Sequence, residues 1–136
     1  MLSLESIGYF SEAPGSQRYP WPVGLFYPDR ADFVAFVGNL RSRSLVRRAI
    51  GTFREGVQFP SEGAALPAGI PGVDWSDHWS FWESGYRAVM VTGTAVYRNP
   101  NYHHGSDQVA TVDYERLARV TLGLRRVIED LASRKH

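Results

Sequence analysis

The sequence predicts an α/β fold, a mostly parallel sheet flanked by helices, and three observations carry that prediction. Asp32-Phe33-Val34-Ala35-Phe36-Val37-Gly38 is apolar at nearly every position, as strands covered on both faces are. Tyr86-Arg87-Ala88-Val89-Met90-Val91-Thr92 reads as a second buried strand. Leu45, Val46, Ala49, Ile50 and Phe53 recur at the spacing of one helix face, and a longer run near the C-terminus does the same. The chain, residues 1–136, is read as a single domain, long enough to bury roughly two-thirds of its unfolded surface.

Taken in order, Leu2 and Leu4 alternate with Ser3 and Glu5 ahead of Ile7-Gly8-Tyr9-Phe10, which predicts a strand over 2–9. Glu5 is the anomaly in it, because an unpaired buried carboxylate is costly. Residues 11–30 hold Pro14, Gly15, Pro20, Pro22, Gly24 and Pro28. Such a loop is irregular but ordered, since Trp21, Phe26 and Tyr27 need a surface to pack on. After the strand over 32–38, Ser42 or Ser44 can cap a helix reaching about Glu55. Its Arg41, Arg43, Arg47, Arg48 and Arg54 fall mainly on the far side, the solvated face of an amphipathic helix, with a basic binding patch as the alternative.

Val57-Gln58-Phe59-Pro60 predicts a short third strand, and the run from Gly63 to Gly72 a loop. Ser76 is placed to cap a short helix through Trp82-Glu83-Ser84, ended by Gly85. Trp75, Trp79 and Trp82 are read as packing residues. Beyond the strand lies a loop of roughly twenty residues, a length that is usually functional or disordered. With Tyr97, Tyr102, His103 and His104 in it, disorder is the poorer reading. Thr111 or Asp113 starts the last helix, to about Ser133, with Tyr114, Leu117, Ala118, Thr121, Leu124, Ile128 and Leu131 as its apolar face.

Bulk properties narrow the function classes. Apolar residues make up 43% and charged residues 21% of the chain, which argues against disorder. A net charge of +1 argues against nucleic-acid binding through many phosphate contacts. The absence of cysteine excludes disulfides, thiolate metal ligands and cysteine nucleophiles. No apolar run approaches the roughly 20 residues of a membrane span. Met1-Leu2-Ser3-Leu4 lacks the charged-then-apolar pattern of a signal peptide, although a secreted parent would carry one upstream, so the compartment is unassigned.

On the residues alone, His103 lies in a loop after a strand, where open α/β folds keep their ligands. It is a candidate metal or acid–base group. The plain alternatives are a loop histidine bonded to backbone and, for Glu5, a strand carboxylate neutralised by an arginine.

Ser76-Asp77-His78, Phe81-Trp82, Gly85, Ala88-Val89-Met90 and Asn99-Pro100-x-Tyr102-His103 resemble, in order and spacing, a known family. They look like the C-terminal half of the di-zinc aminopeptidases of metallopeptidase family twenty-eight, the bacterial leucyl-aminopeptidase type. Asp113-Tyr114-Glu115-Arg116-x-Ala118 is similar to that family's last helix, and Leu4-Glu5-Ser6-Ile7-Gly8-Tyr9 falls where it has a strand ending in a metal-binding carboxylate. The resemblance implies a zinc-exopeptidase (phosphorylase/hydrolase-like) fold, here incomplete. It implies zinc as cofactor, a peptide as substrate, and Glu5 and His103 as ligands, one for each of two ions. Asp77, His78 and Tyr102 would stand beside the ions or line the substrate pocket, while His104 has no matching role and is read as exposed.

The resemblance also implies what is missing. The family's earlier half supplies a histidine ligand, a bridging Asp and a Glu-Glu pair that holds the general base, and no segment here offers them. Gly93 stands where the family often has Asp and Gln108 where Thr is usual, which bears on substrate preference. The expectation is therefore an aminopeptidase chain that retains no catalytic residue of its own, is inactive alone, and self-associates through an exposed sheet edge. A structural or binding remnant, or an acyltransferase like the glutaminyl cyclases with a single zinc, are the alternatives.

Overall fold

The structure, a computed structural model, describes residues 1–133. Its strands are β1 (Leu2–Glu5), β2 (Val34–Gly38), β3 (Ser61–Ala65) and β4 (Val89–Thr92), and its helices α1 (Arg43–Gly56), α2 (His78–Glu83) and α3 (Tyr114–Ser133). The strands form one sheet in the order β1-β4-β2-β3. β1 is parallel to β4 and β2 to β3, while the central β2–β4 pair is antiparallel. The predicted α/β class with a mostly parallel sheet holds. Among the described residues, no helix is long and apolar enough to cross a membrane.

The two-residue alternation of strands sorts side chains onto two faces. Val34 and Phe36 of β2 and Val89 and Val91 of β4 meet Val46, Ala49, Ile50 and Phe53 of α1 and Val120, Leu124 and Val127 of α3. Each Val, Leu, Ile or Phe side chain so buried contributes about 1.5–3 kcal/mol, which makes this layer the main source of stability. The other face is covered more thinly. There Val73, Trp82 and Ala88 cluster with Val37, Leu66 and Ile70, joining α2 and the 66–75 loop to the sheet.

Three expectations are corrected. The third strand is Ser61–Ala65, inside the run expected to be a loop, while Phe59 is a core side chain and Pro60 offers its carbonyl to Val34 N at 3.0 Å. Small residues are weak strand formers, but here they let a helix approach: a Cβ on Gly63 would lie 3.2 Å from Ile50 Cδ1. Packing against α1 overrides propensity. The strand expected over 2–9 ends at Glu5, where Ser6 turns into the left-handed region at φ 51°.

The third correction concerns α3, whose buried face is Val120, Gly123, Leu124 and Val127. Of the expected face only Leu124 is buried, and Tyr114 and Ile128 are more than half exposed. Gly123 is the reason. The Phe53 ring occupies the space a side chain there would need, 2.4 Å from an added Cβ. The helix presents its glycine to α1, and the bulky residues beside it rotate outward.

Candidate functional site

β1 and β4 end side by side, with Glu5 opposite Thr92. The register continues from Thr92 to Ala35 of β2 and from Ala35 to Glu62 of β3. Glu5, Thr92, Ala35 and Glu62 thus form one row across the sheet, on the face turned away from α1 and α3. A cavity of about 110 Å³ lies over this row. Met90 and Val37 extend its floor, Tyr19 and Tyr27 wall it beside Glu62, and Tyr97, Tyr102 and Trp75 also line it.

The tyrosines serve as braces as well as walls. Tyr19 donates its hydroxyl to the Pro28 carbonyl at 2.6 Å, Tyr27 to Gly63 O at 3.1 Å and Tyr97 to Pro71 O at 3.1 Å. Burial raises the Tyr19 phenol well above its ordinary value; Arg98 opposes this and Glu62 adds to it. Tyr27 is raised by burial and then by Glu62. These hydroxyls stay protonated at neutral pH and act as donors.

Glu5 is half-buried at the other end of the row, its Oε1 accepting from Ser6 Oγ at 2.9 Å. Among the described residues no arginine pairs with it. Its backbone carbonyl accepts from Gly93 N at 3.1 Å. A Cβ on Gly93 would sit 2.1 Å from the Ser6 carbonyl oxygen, so glycine is what lets the chain leave β1 this close to the end of β4.

Tyr102 stands at the Glu5 end of the cavity, its phenol raised by burial and secondarily by the Glu5 charge. His103 follows it, exposed and at a left-handed φ of 60°, with its ring stacked on Tyr102 at 4.0 Å between centroids. Glu5 and Tyr102 therefore share one cavity and His103 packs on its wall. His104 is exposed.

Neither Asp77 nor His78 lines the cavity. Asp77 is exposed and occupies the N-cap position of α2 without a side-chain cap bond. Ser76, expected to cap by its hydroxyl, instead bonds Ser3 Oγ at 2.7 Å and ties α2 to β1. His78 is fully buried, edge-on to Trp82 at 4.4 Å, and its Nε2 donates to the Val73 carbonyl at 2.7 Å. Since Val73 lines the cavity, His78 braces the wall from behind. Burial lowers its pKa, and the Val73 bond with Asp74 and Asp77 offsets this only in part.

Neither Tyr19 nor Glu62 stood out in the sequence, and Tyr27 and Trp75 were expected only to pack, yet all four matter here. Glu62, Tyr19 and Tyr27 line the cavity, and their only advance signal was two tyrosines in a proline-rich loop. Trp75, read as packing, is 61% exposed and lines the cavity. The loop over 11–30 sorts its aromatics likewise: Tyr27 turns inward, whereas Trp21 and Phe26 are 88% and 78% exposed. Arg98 is the buried pin that holds these loops. It donates to Phe33 O at 2.7 Å and Gln17 Oε1 at 2.9 Å and lies over the Phe33 ring at 4.6 Å. Burial pushes its pKa down to about 10, so it remains a cation at neutral pH.

A zinc site takes three or four N, S or O ligands. Among the described residues, no group of three or more His, Cys, Asp or Glu side chains is gathered where it could hold an ion. Glu5 and His103 by themselves do not make such a site.

No protein-family model matches the chain. It is similar to the uncharacterized protein YfbL of Escherichia coli K12, 39% identical over 125 residues, which are 91% of this chain and 39% of that protein. Its fold is similar to that of the LapA aminopeptidase of Legionella pneumophila, with a TM-score of 0.65 at 16% identity, covering 99% of this chain and 31% of that one. The chain thus has an aminopeptidase-like fold and spans about two-fifths of the one protein and a third of the other.

Proposed function

We propose that this chain is the C-terminal part of a metal-dependent aminopeptidase domain, which removes the N-terminal residue of a peptide once the rest of its site is supplied. The observation that carries the reading is the shared cavity: Glu5 and Tyr102 line one end of it, and His103 stacks on Tyr102. The aminopeptidase-like fold and the order of the Ser76–His78 and Asn99–His103 pieces support it.

Two candidate donors fall short of a zinc site, and the isolated chain is inactive in this reading. Glu5 and His103 are its contribution to a two-metal centre whose other ligands and general base lie outside it. Ions held there would supply water activation and polarisation of the scissile carbonyl. This chain's own residues bind and orient. The cavity walls exclude water from a substrate side chain, and His78 keeps Val73 in place beneath it.

The test is a chimera in which this chain replaces the matching segment of the Escherichia coli relative. Chimera and intact relative are assayed with zinc on aminoacyl-anilides and on N-terminal glutaminyl peptides. Release of the aniline, its loss by at least a thousandfold in His103→Ala, and an unchanged Tm for that variant are the expected results. Cyclisation of the glutaminyl peptide without anilide hydrolysis would install the acyltransferase reading. Inactivity of relative and chimera on both substrates would leave only a binding or structural module.

A further inference from the structure

We infer that the cavity receives a basic side chain, lysine or arginine, with Glu62 as its counter-charge. The inference rests on the aminopeptidase reading for what carries that side chain: the N-terminal residue of the peptide.

The row across the sheet sets the scale. From Glu5 to Glu62 it crosses three strand spacings, about 14 Å at roughly 4.8 Å each. A glutamate stands at either end, and the residues between them, Thr92 and Ala35, are small. A substrate whose reacting end lies at Glu5 and His103 can lay its side chain along this floor toward β3. An extended lysine or arginine reaches about 6–7 Å from its Cα, estimated from standard bond lengths. That brings its charge within reach of a glutamate side chain entering from the other end. A leucine stops short of it.

Glu62 is suited to that role because nothing else occupies it. Gly63 faces α1, so Glu62 and Ala64 face the cavity, which both line. Among the described residues, Glu62 forms no hydrogen bond and no ion pair. Arg54 of α1, which reaches the adjacent Ser61, is bonded to Ser61 Oγ at 2.9 Å and to the Ser61 carbonyl. Tyr19 and Tyr27 stand beside Glu62 with their rings 6.0 Å apart, and aromatic faces attract a cation and cover its methylene stem. The electrostatic influence of Glu62 reaches both phenols. An apolar lining with one unpaired carboxylate at its far end discriminates by charge at the tip of a long side chain.

The experiment uses the chimera and compares lysyl-, arginyl-, leucyl- and phenylalanyl-anilides. The basic substrates should lead in kcat/KM by tenfold or more. Glu62→Gln should cost them about ten- to hundredfold, the worth of one hydrogen bond to a charged group, and leave the leucyl substrate within twofold. Faster cleavage of leucyl or phenylalanyl substrates by the unmodified chimera would overturn the inference and leave the peptidase reading standing. If no anilide is cleaved, the peptidase reading falls and a binding arm decides. Lysinamide and leucinamide are titrated with chelator present, following tryptophan fluorescence from Trp75. Saturable lysinamide binding that Glu62→Gln weakens tenfold keeps the basic pocket; equal or absent binding of the two amides removes it.

Discussion

Substituting two glycines by alanine should move stability in opposite directions, and the reason lies in where each helix meets its neighbour. In α1, a methyl on Gly51 would find no atom within 4 Å. Gly51→Ala should therefore gain about 0.5–1 kcal/mol from helix propensity alone. In α3, a methyl on Gly123 would lie 2.4 and 2.6 Å from Phe53 Cε2 and Cδ2 and 2.6 Å from Val57 Cγ1. Carbon contacts are comfortable at about 3.5–4.0 Å, so something must shift by about 1 Å. The Phe53 ring has no room to shift: it is 0% exposed and packed edge-on against Phe36 and Phe59. Overpacking of this kind costs about 1–3 kcal/mol, and the blocked ring puts it at the upper end. After the same propensity gain of about 1 kcal/mol, Gly123→Ala should lose about 2 kcal/mol. Thermal unfolding followed by circular dichroism should show Gly123→Ala lower by about 5–10 °C and Gly51→Ala higher by a few degrees. A Gly123→Ala chain as stable as the unmodified one would refute the α1–α3 contact described above.

Titrations and association give the remaining tests. Because burial holds the native His78 neutral, the unfolded chain binds a proton that the native one refuses once pH drops below about 6.5. Stability should be flat above that value and fall below it, with a shallower fall in His78→Gln, which keeps a donor for the Val73 carbonyl; identical slopes would show that His78 is not what titrates. Zinc titrated calorimetrically into the isolated chain should bind weakly and without defined stoichiometry, and two tight sites would mean that unrecognised ligands exist. The isolated chain should sediment as a concentration-dependent oligomer and shift toward monomer in Leu4→Lys, since Leu4 is 56% exposed on the open strand edge; a monomer at all concentrations would show that the edge attracts nothing.

The parts of the fold that were legible in the sequence are those where burial and period coincide. The residues of β2 and β4 are apolar on both faces, and α1 shows one clean apolar stripe, so their residue types alone declared them. β3 and the orientation of α3 were illegible because both depend on glycines. Gly63 and Gly123 contribute nothing to a hydrophobic pattern, yet at each a helix side chain packs close against the backbone. A pattern search that counts large apolar side chains passes over such contacts and, in α3, selects the neighbouring stripe.

The site was half legible for a related reason. Glu5 stood out as a carboxylate in a strand, and His103 as a histidine beyond one, but Glu62 joined them only through the register of three strand pairs, which residue types do not encode. That register also links the proposed site to the open edge of the sheet. β1 is an outer strand of the sheet, and the groove beside it is lined by Leu4, Ile7, Thr121, Leu124 and Ile128, with the paired Arg125 and Glu129 at its rim. Glu5, the candidate donor short of partners, closes that same strand. Strands added along β1 would cover Leu4 and Ile128 and at the same time carry side chains up to the end of the sheet where Glu5 and Tyr102 wait. If the aminopeptidase proposal holds, cover for that edge and further ligands would come from one addition, so activity in the chimera should be accompanied by loss of self-association.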